Sequence, residues 1–473
     1  MALQEVDVQA LALERLEALI GPQRASQFES TATAARALLN GRSVLNVNST
    51  ATGGGVAELL QTLLAYARGA RVDARWVVIE GDPRFFEITK RVHNHLYGTS
   101  GDGGPLHTAE RRDYEHTIRR NVAELLELVR VGDIVVLHDP QTAGLAAAVK
   151  RAGAHVVWRC HVGIDSPNAH SERGWEFLRP YVDGADGYVF SCEQFAPGWI
   201  PRHQLAIIPP SIDPFSTKNE AIDATTVVCR LQCVGLIAGD NDGPAGTFTR
   251  RDGSQGQITR RVDFVGTGPP PPADAPIVLQ ASRWDALKDM DGVLLGFAEH
   301  IADRSDAHLI LAGPQASGVA DDPEADQVLR ECLSLWHRLP AAVQLRAHLV
   351  CVPMDDPDEA AAIVNALQRH ATVVVQKSLA EGFVLTVAEA MWKSQAVVGT
   401  AVGGIVDQIV PGETGLLIDD ARDLEQFGQA VCSLLDNADE RNRMGSNAHQ
   451  RAVQHFLGDR HLESWAQLFG RLD

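Results

Sequence analysis

The chain has 473 residues, more than one hydrophobic core usually supports, so we expect at least two domains. Apolar residues make up 45% and charged residues 22%, as in soluble globular proteins, and the net charge of -19 argues against nucleic acid as a partner. No apolar run approaches the ~20 residues that a membrane span needs, and the N-terminus lacks a signal-peptide pattern. The seven cysteines are scattered and lack the spacing of zinc ligands, which favours reduced thiols and a cytoplasmic protein. Because no membrane span is predicted, we also expect no membrane partner.

Both halves of the chain alternate short apolar runs with longer helical patterns, which is typical of parallel sheets with crossover helices. Strand candidates in the first half are residues 44–48, 76–79, 134–137, 155–158, 188–190 and 206–208. Strand candidates in the second half are residues 277–280, 308–312, 349–352, 373–375, 396–399 and 416–418. The two sets predict an α/β protein with two doubly wound, Rossmann-like domains.

A break separates the two sets of strands at residues 214–276, where proline, glycine and polar residues are frequent. Sequence of this kind buries too little apolar surface to hold a core. We therefore expect a linker that carries a flexible insertion, with a surface hairpin near residues 262–265 as the alternative. Beyond the last strand, a helical pattern from Leu434 to Leu472 is long enough for two helices.

Candidate ligand-binding residues follow the predicted strands of the first half, and ligands of doubly wound sheets bind at such positions. They are Gly53, Gly54, Gly55, Glu80, Asp139 and His161. Consecutive glycines let the backbone approach a ligand closely, although a tight turn is the plainer explanation. Asp139 can hold sugar hydroxyls or cap the next helix.

Two cations, Arg283 and Lys288, leave the end of the strand at 277–280 five residues apart. A guanidinium and an ammonium in this arrangement can clamp a diphosphate, whereas ordinary surface charge would explain either residue alone.

Two acids, Glu381 and Glu389, stand eight positions apart in a glycine turn and the apolar run after it. A turn that leads into a helix exposes N–H groups and the positive end of the helix dipole, which suits a diphosphate. Glu389 can then accept the hydroxyls of a ribose, and Glu381 can reach a sugar beyond the phosphates. The alternative is a helix-start acid and a solvated helix face.

The ordered combination of Arg-x4-Lys and Glu-x7-Glu resembles the retaining glycosyltransferases with two Rossmann-like domains. Further segments, in the same order, are similar to the trehalose glycosyltransferring synthases. These segments lie at residues 46–58, 76–82, 85–94, 138–141 and 158–161. The resemblance covers residues 40–210 and 275–455.

The resemblance implies the GT-B architecture, in which two Rossmann-like domains face each other across a cleft. The domains implied are an N-terminal acceptor-binding domain at 1–213, the linker with its insertion at 214–276, and a C-terminal nucleotide-sugar domain at 277–455. The last segment, 456–473, is implied to be a helix that crosses back to the N-terminal domain.

The resemblance also implies a role for each candidate residue. The catalytic residues implied are His161, Arg283, Lys288 and Glu381. The donor-binding residues implied are Gly54, Gly55, Arg283, Lys288, Glu381, Gly382, Phe383, Val384, Leu385 and Glu389, and the acceptor-binding residues implied are Asp139 and Glu80. Val384 departs from the glycine of the family pattern and restricts the backbone beside the diphosphate.

The reaction implied is reversible transfer of glucose from a nucleoside diphosphate glucose (UDP-, ADP- or GDP-glucose) to glucose, which gives α,α-trehalose. Without an evident nucleophile, retention suggests a front-face route that needs no metal cofactor, although a Mg²⁺ ion associated with the nucleotide stays open. Alternatives are a retaining trehalose phosphorylase and a non-enzymatic sugar-nucleotide-binding protein. A dinucleotide oxidoreductase lacks its glycine fingerprint here. The sequence leaves the oligomeric state open, a homodimer included.

Overall fold

The computed structural model describes residues 3–51, 54–239, 246–266, 268–315 and 325–472. The chain forms two compact units, each built from segments distant in sequence. The first unit comprises Met1–Ile212, Glu381–Leu385 and His455–Asp473, and the second comprises Asp213–Ala380 and Thr386–Gln454.

The first unit has a central sheet whose described strands are β1 (Leu3–Val6), β2 (Val44–Asn48), β3 (Ala74–Ile79), β4 (Ile134–His138), β5 (His155–Cys160), β6 (Gly187–Phe190) and β7 (Leu205–Ile207). Their order across the sheet is β1-β3-β2-β4-β5-β6-β7. Strand β1 pairs antiparallel with β3, and the other neighbours pair in parallel. Every residue of β2 and β4 is buried, which fits their mostly apolar sequence; the buried polar exceptions are Asn46, Asn48 and His138.

Helices cover this sheet on both faces. In chain order they are α1 (Glu14–Ile20), α2 (Pro22–Leu38), α3 (Gly54–Gly69), α4 (Pro83–Leu96), α5 (Thr108–Leu128), α6 (Asp139–Thr142), α7 (Ala146–Arg151) and α8 (Ala169–Val182). The start of α4 illustrates the local signals, since Asp82 accepts a hydrogen bond from the N–H of Phe85 and Pro83 occupies the first turn.

The second unit has its own sheet, preceded in sequence by a small hairpin. The described strands are β8 (Thr247–Thr249), β9 (Gln255–Gln257), β10 (Asp263–Phe264), β11 (Ile277–Ala281), β12 (His308–Pro314), β13 (Ala347–Val352), β14 (Val373–Gln376), β15 (Val397–Thr400) and β16 (Gly415–Ile418). The sheet order is β10-β13-β12-β11-β14-β15-β16, and β8 pairs only with β9. All neighbours are parallel except β10, which pairs antiparallel with β13.

The helices assigned to this part of the chain are α9 (Ala224–Cys233), α10 (Met290–His300), α11 (Ala325–Trp336), α12 (Ala341–Gln344), α13 (Pro357–His370), α14 (Leu385–Trp392), α15 (Gly404–Gln408), α16 (Leu424–Asp436) and α17 (Ala438–His455). Their core is a separate cluster around Trp284, Phe297 and Trp336, all of them at most 1% exposed. The second unit therefore has a hydrophobic core of its own.

The chain ends in α18 (Gly458–Phe469), which belongs to the first unit. Its Trp465 and Phe469 pack in one apolar cluster with Val136 of β4 and Val157 of β5. This cluster covers one face of the sheet, and Leu137 and Trp158 lie in the cluster on the other face, as the alternation of side chains along a strand requires.

The described residues of the expected linker and insertion are structured. Arg250 Nη1 donates to Asp356 Oδ2 at 2.5 Å, and Glu359 accepts the N–H groups of Thr259 at 2.6 Å and Arg260 at 2.8 Å. Both acids lie at the start of α13, where a carboxylate is favoured by the helix dipole. Residues 240–245 and 267 of this segment lie outside the described residues. The polar composition of this segment predicts flexibility. Composition cannot reveal that the carboxylate of Glu359, which is distant in sequence, binds the segment and holds it in place.

Every helix in the described residues falls short of the length or the apolar character that crossing a lipid bilayer requires.

Candidate active site

The first group of candidate residues lies where β4 and β5 end side by side in the first unit. His138 is the last residue of β4, Asp139 follows it, and His161 follows β5. Asp139 Oδ1 accepts a hydrogen bond from the backbone N–H of His161 at 2.8 Å, and the Asp139 carbonyl accepts one from Trp158 Nε1 at 3.1 Å. The structure thus brings Asp139 and His161 into direct contact.

Burial shapes the charge of this Asp. It raises the pKa of Asp139 to about 7, although the His161 N–H bond and the nearby Arg159 charge oppose the shift. One carboxylate oxygen is committed to the backbone of residue 161, so Asp139 fixes the two strand ends to each other.

The two histidines form a hydrogen-bonded row that reaches back to β2. His138 Nδ1 lies 3.0 Å from His161 Nε2, and His138 Nε2 lies 3.0 Å from Asn46 Oδ1. Burial holds the pKa of both rings well below the usual histidine value, so both are neutral near pH 7. With Asn46 Oδ1 as the acceptor, His138 donates from Nε2 and receives the Nε2–H of His161. His161 is then a neutral ring of defined tautomer rather than a cation.

The turn with the first acid of the Glu-x7-Glu motif also belongs to the first unit. A Cβ atom on Gly382 would lie well inside van der Waals contact with the carbonyl oxygen of His161, so only glycine fits there. Phe383 packs edge-on against Phe456, with ring centroids 5.5 Å apart. Glu381 itself is 4% exposed.

The glycine turn after β2 lies next to the same segment. A Cβ atom on Gly55 would lie 3.8 Å from Leu385 Cδ1, an ordinary contact distance. Gly54 has a φ of 76°, which favours glycine. Gly53, the third glycine of the predicted turn, lies outside the described residues.

The candidate Glu80 and the neighbouring Arg159 have partners away from Asp139 and His161. Glu80 is exposed, its Oε2 lies 3.7 Å from Arg120 Nη2, and its N–H donates to Asn121 Oδ1 at 3.0 Å. Both partners are on α5. Arg159 is fully buried and points toward α18, where its Nη1 lies 3.3 Å from His461 Nε2 and its guanidinium faces the ring of Trp465. Burial lowers the pKa of Arg159 to about 9.

In the second unit, the loop after β11 carries both predicted cations. Arg283 Nη2 lies 3.4 Å from Asp285 Oδ2, and the carbonyl of Lys288 accepts a hydrogen bond from Gln280 Nε2 at 2.7 Å. The side chain of Arg283 is 42% exposed, so it is reachable by a ligand.

A buried cation that the sequence does not single out fixes the end of this loop. Lys377, at the end of β14, forms an ion pair with Asp289, which stands in the left-handed conformation with a φ of 52°. Gln280 Oε1 accepts the N–H of Lys377 at 3.0 Å, so one glutamine holds both loops. Lys377 is recognised only in the fold, because its partners are distant in sequence.

Glu389 is the fifth residue of α14, just over one turn from its start, and is 1% exposed. Its Oε1 lies 2.9 Å from Lys218 Nζ, whereas its Oε2 has no hydrogen-bond partner. A buried carboxylate oxygen without a donor is costly, so Glu389 Oε2 is a candidate for a ligand contact.

Val384, the departure from the family pattern, is 5% exposed. It is not among the four described non-glycine residues with positive φ. Its backbone therefore does not require a glycine, and the substitution is accommodated without strain at this residue.

Two family models match the chain. The model described as "Trehalose synthase, N-terminal domain" matches residues 46–197, and the model described as "Glycosyl transferases group 1" matches residues 268–451. A trehalose synthase of Pyrococcus horikoshii is 32% identical over 464 residues, which are 97% of this chain and 96% of that protein. The chain belongs to the trehalose synthase family. It is accordingly a trehalose-related glycosyltransferase, as the sequence resemblance implied.

Two further relatives differ in how similar they are to this chain. A trehalose synthase of Rubrobacter xylanophilus is 32% identical over 92% of this chain and 91% of that protein. A trehalose phosphorylase of Grifola frondosa is more distant, at 26% identity over 78% of this chain and 49% of that protein.

Solved structures show the same fold. A sucrose-phosphate synthase of Thermosynechococcus elongatus aligns with a TM-score of 0.62 at 17% identity, over 91% of this chain and 99% of that one. An Anabaena protein in complex with UDP and glucose aligns with a TM-score of 0.61 at 16% identity, over 90% of this chain and 98% of that one. The predicted GT-B fold of this trehalose synthase family member is confirmed.

Proposed function

We propose that the protein is a retaining glycosyltransferase that moves glucose from a nucleoside diphosphate glucose to free glucose, reversibly, to form α,α-trehalose. One observation carries the choice of a nucleotide donor. Glu389 is buried, its Oε1 is paired with Lys218, and its Oε2 lacks the donor that a ribose hydroxyl would supply. The similarity to trehalose synthases over nearly the whole chain supports the product.

The diphosphate is assigned to Arg283, Lys288 and the N–H groups at the start of α14, with Val384 just before the helix and Leu385 as its first residue. Preorganised cations and N–H groups stabilise the charge that develops on the leaving phosphate oxygen. The donor glucose is assigned to Glu381 and His161, with the backbone of Gly382 and Phe383 close beside them and the glycine turn at Gly54 and Gly55 next to this segment.

In the step we propose, the bond from the glucose C1 to the phosphate oxygen breaks while the acceptor hydroxyl oxygen bonds to C1 on the same face. The proton of the acceptor hydroxyl moves to the departing phosphate oxygen, so the step needs no protein side chain as a base. A neutral His161 suits this route, because it can hydrogen-bond a sugar hydroxyl but holds no surplus proton at neutral pH. Orientation and electrostatics then supply the catalysis.

The acceptor glucose is assigned to Asp139, whose second carboxylate oxygen can accept a sugar hydroxyl, and to Glu80. The reaction as proposed requires no metal ion. Among the described residues, no group of three or more His, Cys, Asp and Glu side chains is arranged to hold one. A Mg²⁺ ion that travels with the nucleotide is compatible with the same residues.

A donor screen tests the proposal. Purified protein is incubated with glucose and UDP-, ADP-, GDP- or TDP-glucose, and the disaccharide is identified by chromatography and by its anomeric NMR couplings. We expect α,α-trehalose from at least one donor, and the reverse reaction from trehalose and the matching nucleoside diphosphate.

Phosphorolysis is the competing outcome, because trehalose phosphorylases are among the distant relatives. Glucose 1-phosphate from trehalose and inorganic phosphate, with no product from any nucleotide donor, would replace the proposal with a phosphorylase. The absence of both reactions with retained nucleotide binding would favour a binding protein.

A further inference from the structure

Lys218 lies in the segment between the two predicted domains, outside every motif of the sequence, yet it contacts the buried acid of α14. Its Nζ is 2.9 Å from Glu389 Oε1, with the Lys218 side chain 19% exposed and that of Glu389 1% exposed. An ammonium group has three N–H donors, so one lysine can contact a carboxylate and a ligand at the same time. Part of the Lys218 side chain is exposed beside this buried carboxylate.

The backbone around Lys218 is firmly held against α13 and α14. Asn365 Nδ2 donates to the carbonyl of Thr217 at 3.0 Å, and Trp392 Nε1 donates to the carbonyl of Asn219 at 3.0 Å. The buried Lys393 Nζ donates to Asn219 Oδ1 at 2.8 Å. Residues on both sides of Lys218 are thus anchored by side chains of the two helices, so its direction toward Glu389 is set by the fold.

Lys393 directly follows the last residue of α14, four positions after Glu389, and contacts the segment that carries Lys218. Its ammonium donates to Asn219 Oδ1 and Gln368 Oε1, both at 2.8 Å, and lies 3.4 Å from the backbone carbonyl of Glu389. The ion pair described for the Glu389 carboxylate is the one with Lys218.

We propose that Lys218 and Glu389 together bind the ribose of the nucleotide, with Glu389 Oε2 accepting a hydrogen bond from one hydroxyl and Lys218 Nζ donating to the oxygen of the neighbouring hydroxyl. The inference rests on the proposed function, in which Glu389 is the ribose ligand. A carboxylate alone can receive both hydroxyls, but here the Lys218 ammonium lies 2.9 Å from Oε1, so a diol bound at this carboxylate also meets a cation. A hydroxyl accepts as well as donates, so the vicinal pair matches one acceptor and one donor.

Specificity follows from this arrangement. Each residue reads one hydroxyl, so removal of either hydroxyl from the nucleotide should cost binding independently. Hydrogen bonds to charged groups are typically worth about 10-fold to 100-fold in affinity. Lys218 is therefore a specificity-determining residue for ribonucleotide donors.

Calorimetry with nucleoside diphosphates tests the inference. The nucleotide that binds most tightly among UDP, ADP and GDP is compared with its 2′-deoxy and 3′-deoxy analogues, on the wild type, Lys218→Met and Glu389→Gln. We expect Lys218→Met to bind the ribonucleotide about 10-fold or more weakly and to lose the penalty for one analogue. Glu389→Gln should lose the penalty for the other analogue.

Controls separate a direct contact from a structural effect. Lys150→Met removes another lysine ion pair, with Asp186 of the first unit, and should leave nucleotide binding unchanged. Lys218→Arg keeps the cation and should restore part of the affinity. A Lys218→Met protein that keeps the full wild-type penalty for both analogues would show that Lys218 does not touch the ribose, whatever its affinity or melting temperature.

The same titrations distinguish this failure from failure of the proposed function. If none of the three nucleotides binds the wild type, the proposed nucleotide donor and the proposed ribose contacts of Lys218 and Glu389 are both contradicted. If Glu389→Gln binds the ribonucleotide as the wild type does, Glu389 is not a ribose ligand. The role proposed for Lys218 is then contradicted as well. Loss of binding in Glu389→Gln with unchanged discrimination in Lys218→Met contradicts only the present inference.

Discussion

Asp139, at the end of β4, combines an unusual backbone conformation with a hydrogen bond to the end of β5. Its φ of 61° is rare for a residue other than glycine, and its carboxylate receives the N–H of His161. The sequence predicted a ligand-binding position here because a buried strand ends at it. It could not predict the tie to His161, since that contact depends on the parallel pairing of β4 and β5.

The hydrogen-bonded row from Asn46 through His138 to His161 also depends on the pairing of strands. Asn46 and His138 lie within the segments that carry the family resemblance, but their sequence alone assigns them no role. Their hydrogen bonds form because β2 and β4 are neighbours in the sheet. Lys218 and Lys377 escaped the sequence analysis for the same reason, since their carboxylate partners are distant in the chain.

Replacement of Gly382 tests the packing beside His161. In Gly382→Ala the new Cβ meets the His161 carbonyl oxygen, which is backbone and cannot rotate away, so the turn must move. We expect turnover to fall by about 100-fold or more, because displaced catalytic groups cost that much. Steady-state kinetics with donor and glucose measure it. Gly198→Ala, where a Cβ would have nothing within 4 Å, should behave as the wild type. Equal activity of both variants would contradict the placement.

Asp139 should also give stability a distinct pH dependence. Its folded pKa of about 7 is raised above the unfolded value by burial, so the folded state binds the proton more tightly. Its contribution to the free energy of unfolding therefore decreases as pH rises from about 4 to about 7 and is constant above. Asp139→Asn removes this titration. We expect its melting temperature relative to the wild type to rise by a few °C between pH 5 and pH 8, by differential scanning fluorimetry. A difference independent of pH would contradict the raised pKa.

At the scale of elements, the sequence located the twelve parallel strands of the two sheets, and the structure differs mainly at their ends. The predicted strand at 155–158 extends to Cys160, for example, because buried polar Arg159 and Cys160 continue the pairing with β6. The sequence missed β1, β8 and β9, and at residues 262–265 it offered a surface hairpin as the alternative, where the structure has β10 paired with β13. All four pair antiparallel and are two to four residues long, too short for a periodic signal.

The loop after β11 is the element on which the donor assignment depends most. We expect Arg283→Ala and Lys288→Ala each to reduce turnover by about 10²–10³, because each removes a preorganised charge from the diphosphate. Thermal stability should change little, since Arg283 is 42% exposed. Arg443→Ala removes an exposed pair with Glu440 and is the matched control. Wild-type kinetics for either site variant would remove that residue from the active site.

The docking of the 246–266 segment on α13 can be tested at Glu359, which is 2% exposed. Glu359→Ala leaves the N–H groups of Thr259 and Arg260 without their acceptor and removes one of the two carboxylates at the Arg260 guanidinium. We expect a loss of about 2 kcal/mol and faster proteolytic cleavage within this segment, because unpaired buried donors are costly. Limited proteolysis with mass spectrometry reports the cleavage site. Glu440→Ala, an exposed acid, should be cleaved as the wild type is. An unchanged cleavage rate in Glu359→Ala would mean that the segment is held by other contacts.

At the scale of the whole molecule, the net charge is -19, so an anionic nucleotide must be held by local positive groups. The sequence could predict the fold class and these groups because strand periodicity and short motifs are local signals. It could not predict that residues 381–385 belong to the first unit while Glu389 belongs to the second. That division arises from contacts such as Gly382 with His161, which only the folded chain creates.

Metal dependence is the last test, because it asks whether the protein's own charges suffice. Arg283 and Lys288 offer two positive charges to a leaving diphosphate, and the N-terminus of α14 adds a partial one. If these groups carry the stabilisation, turnover in excess EDTA should stay within about threefold of turnover with Mg²⁺, since a loose ion only screens the nucleotide. The assay follows trehalose formation at saturating donor and glucose, with the donor constant determined in both conditions. A rise in that constant with unchanged turnover would place Mg²⁺ on the free nucleotide. Complete loss of turnover in EDTA, restored by Mg²⁺, would show that a metal ion carries the charge we assign to Arg283 and Lys288.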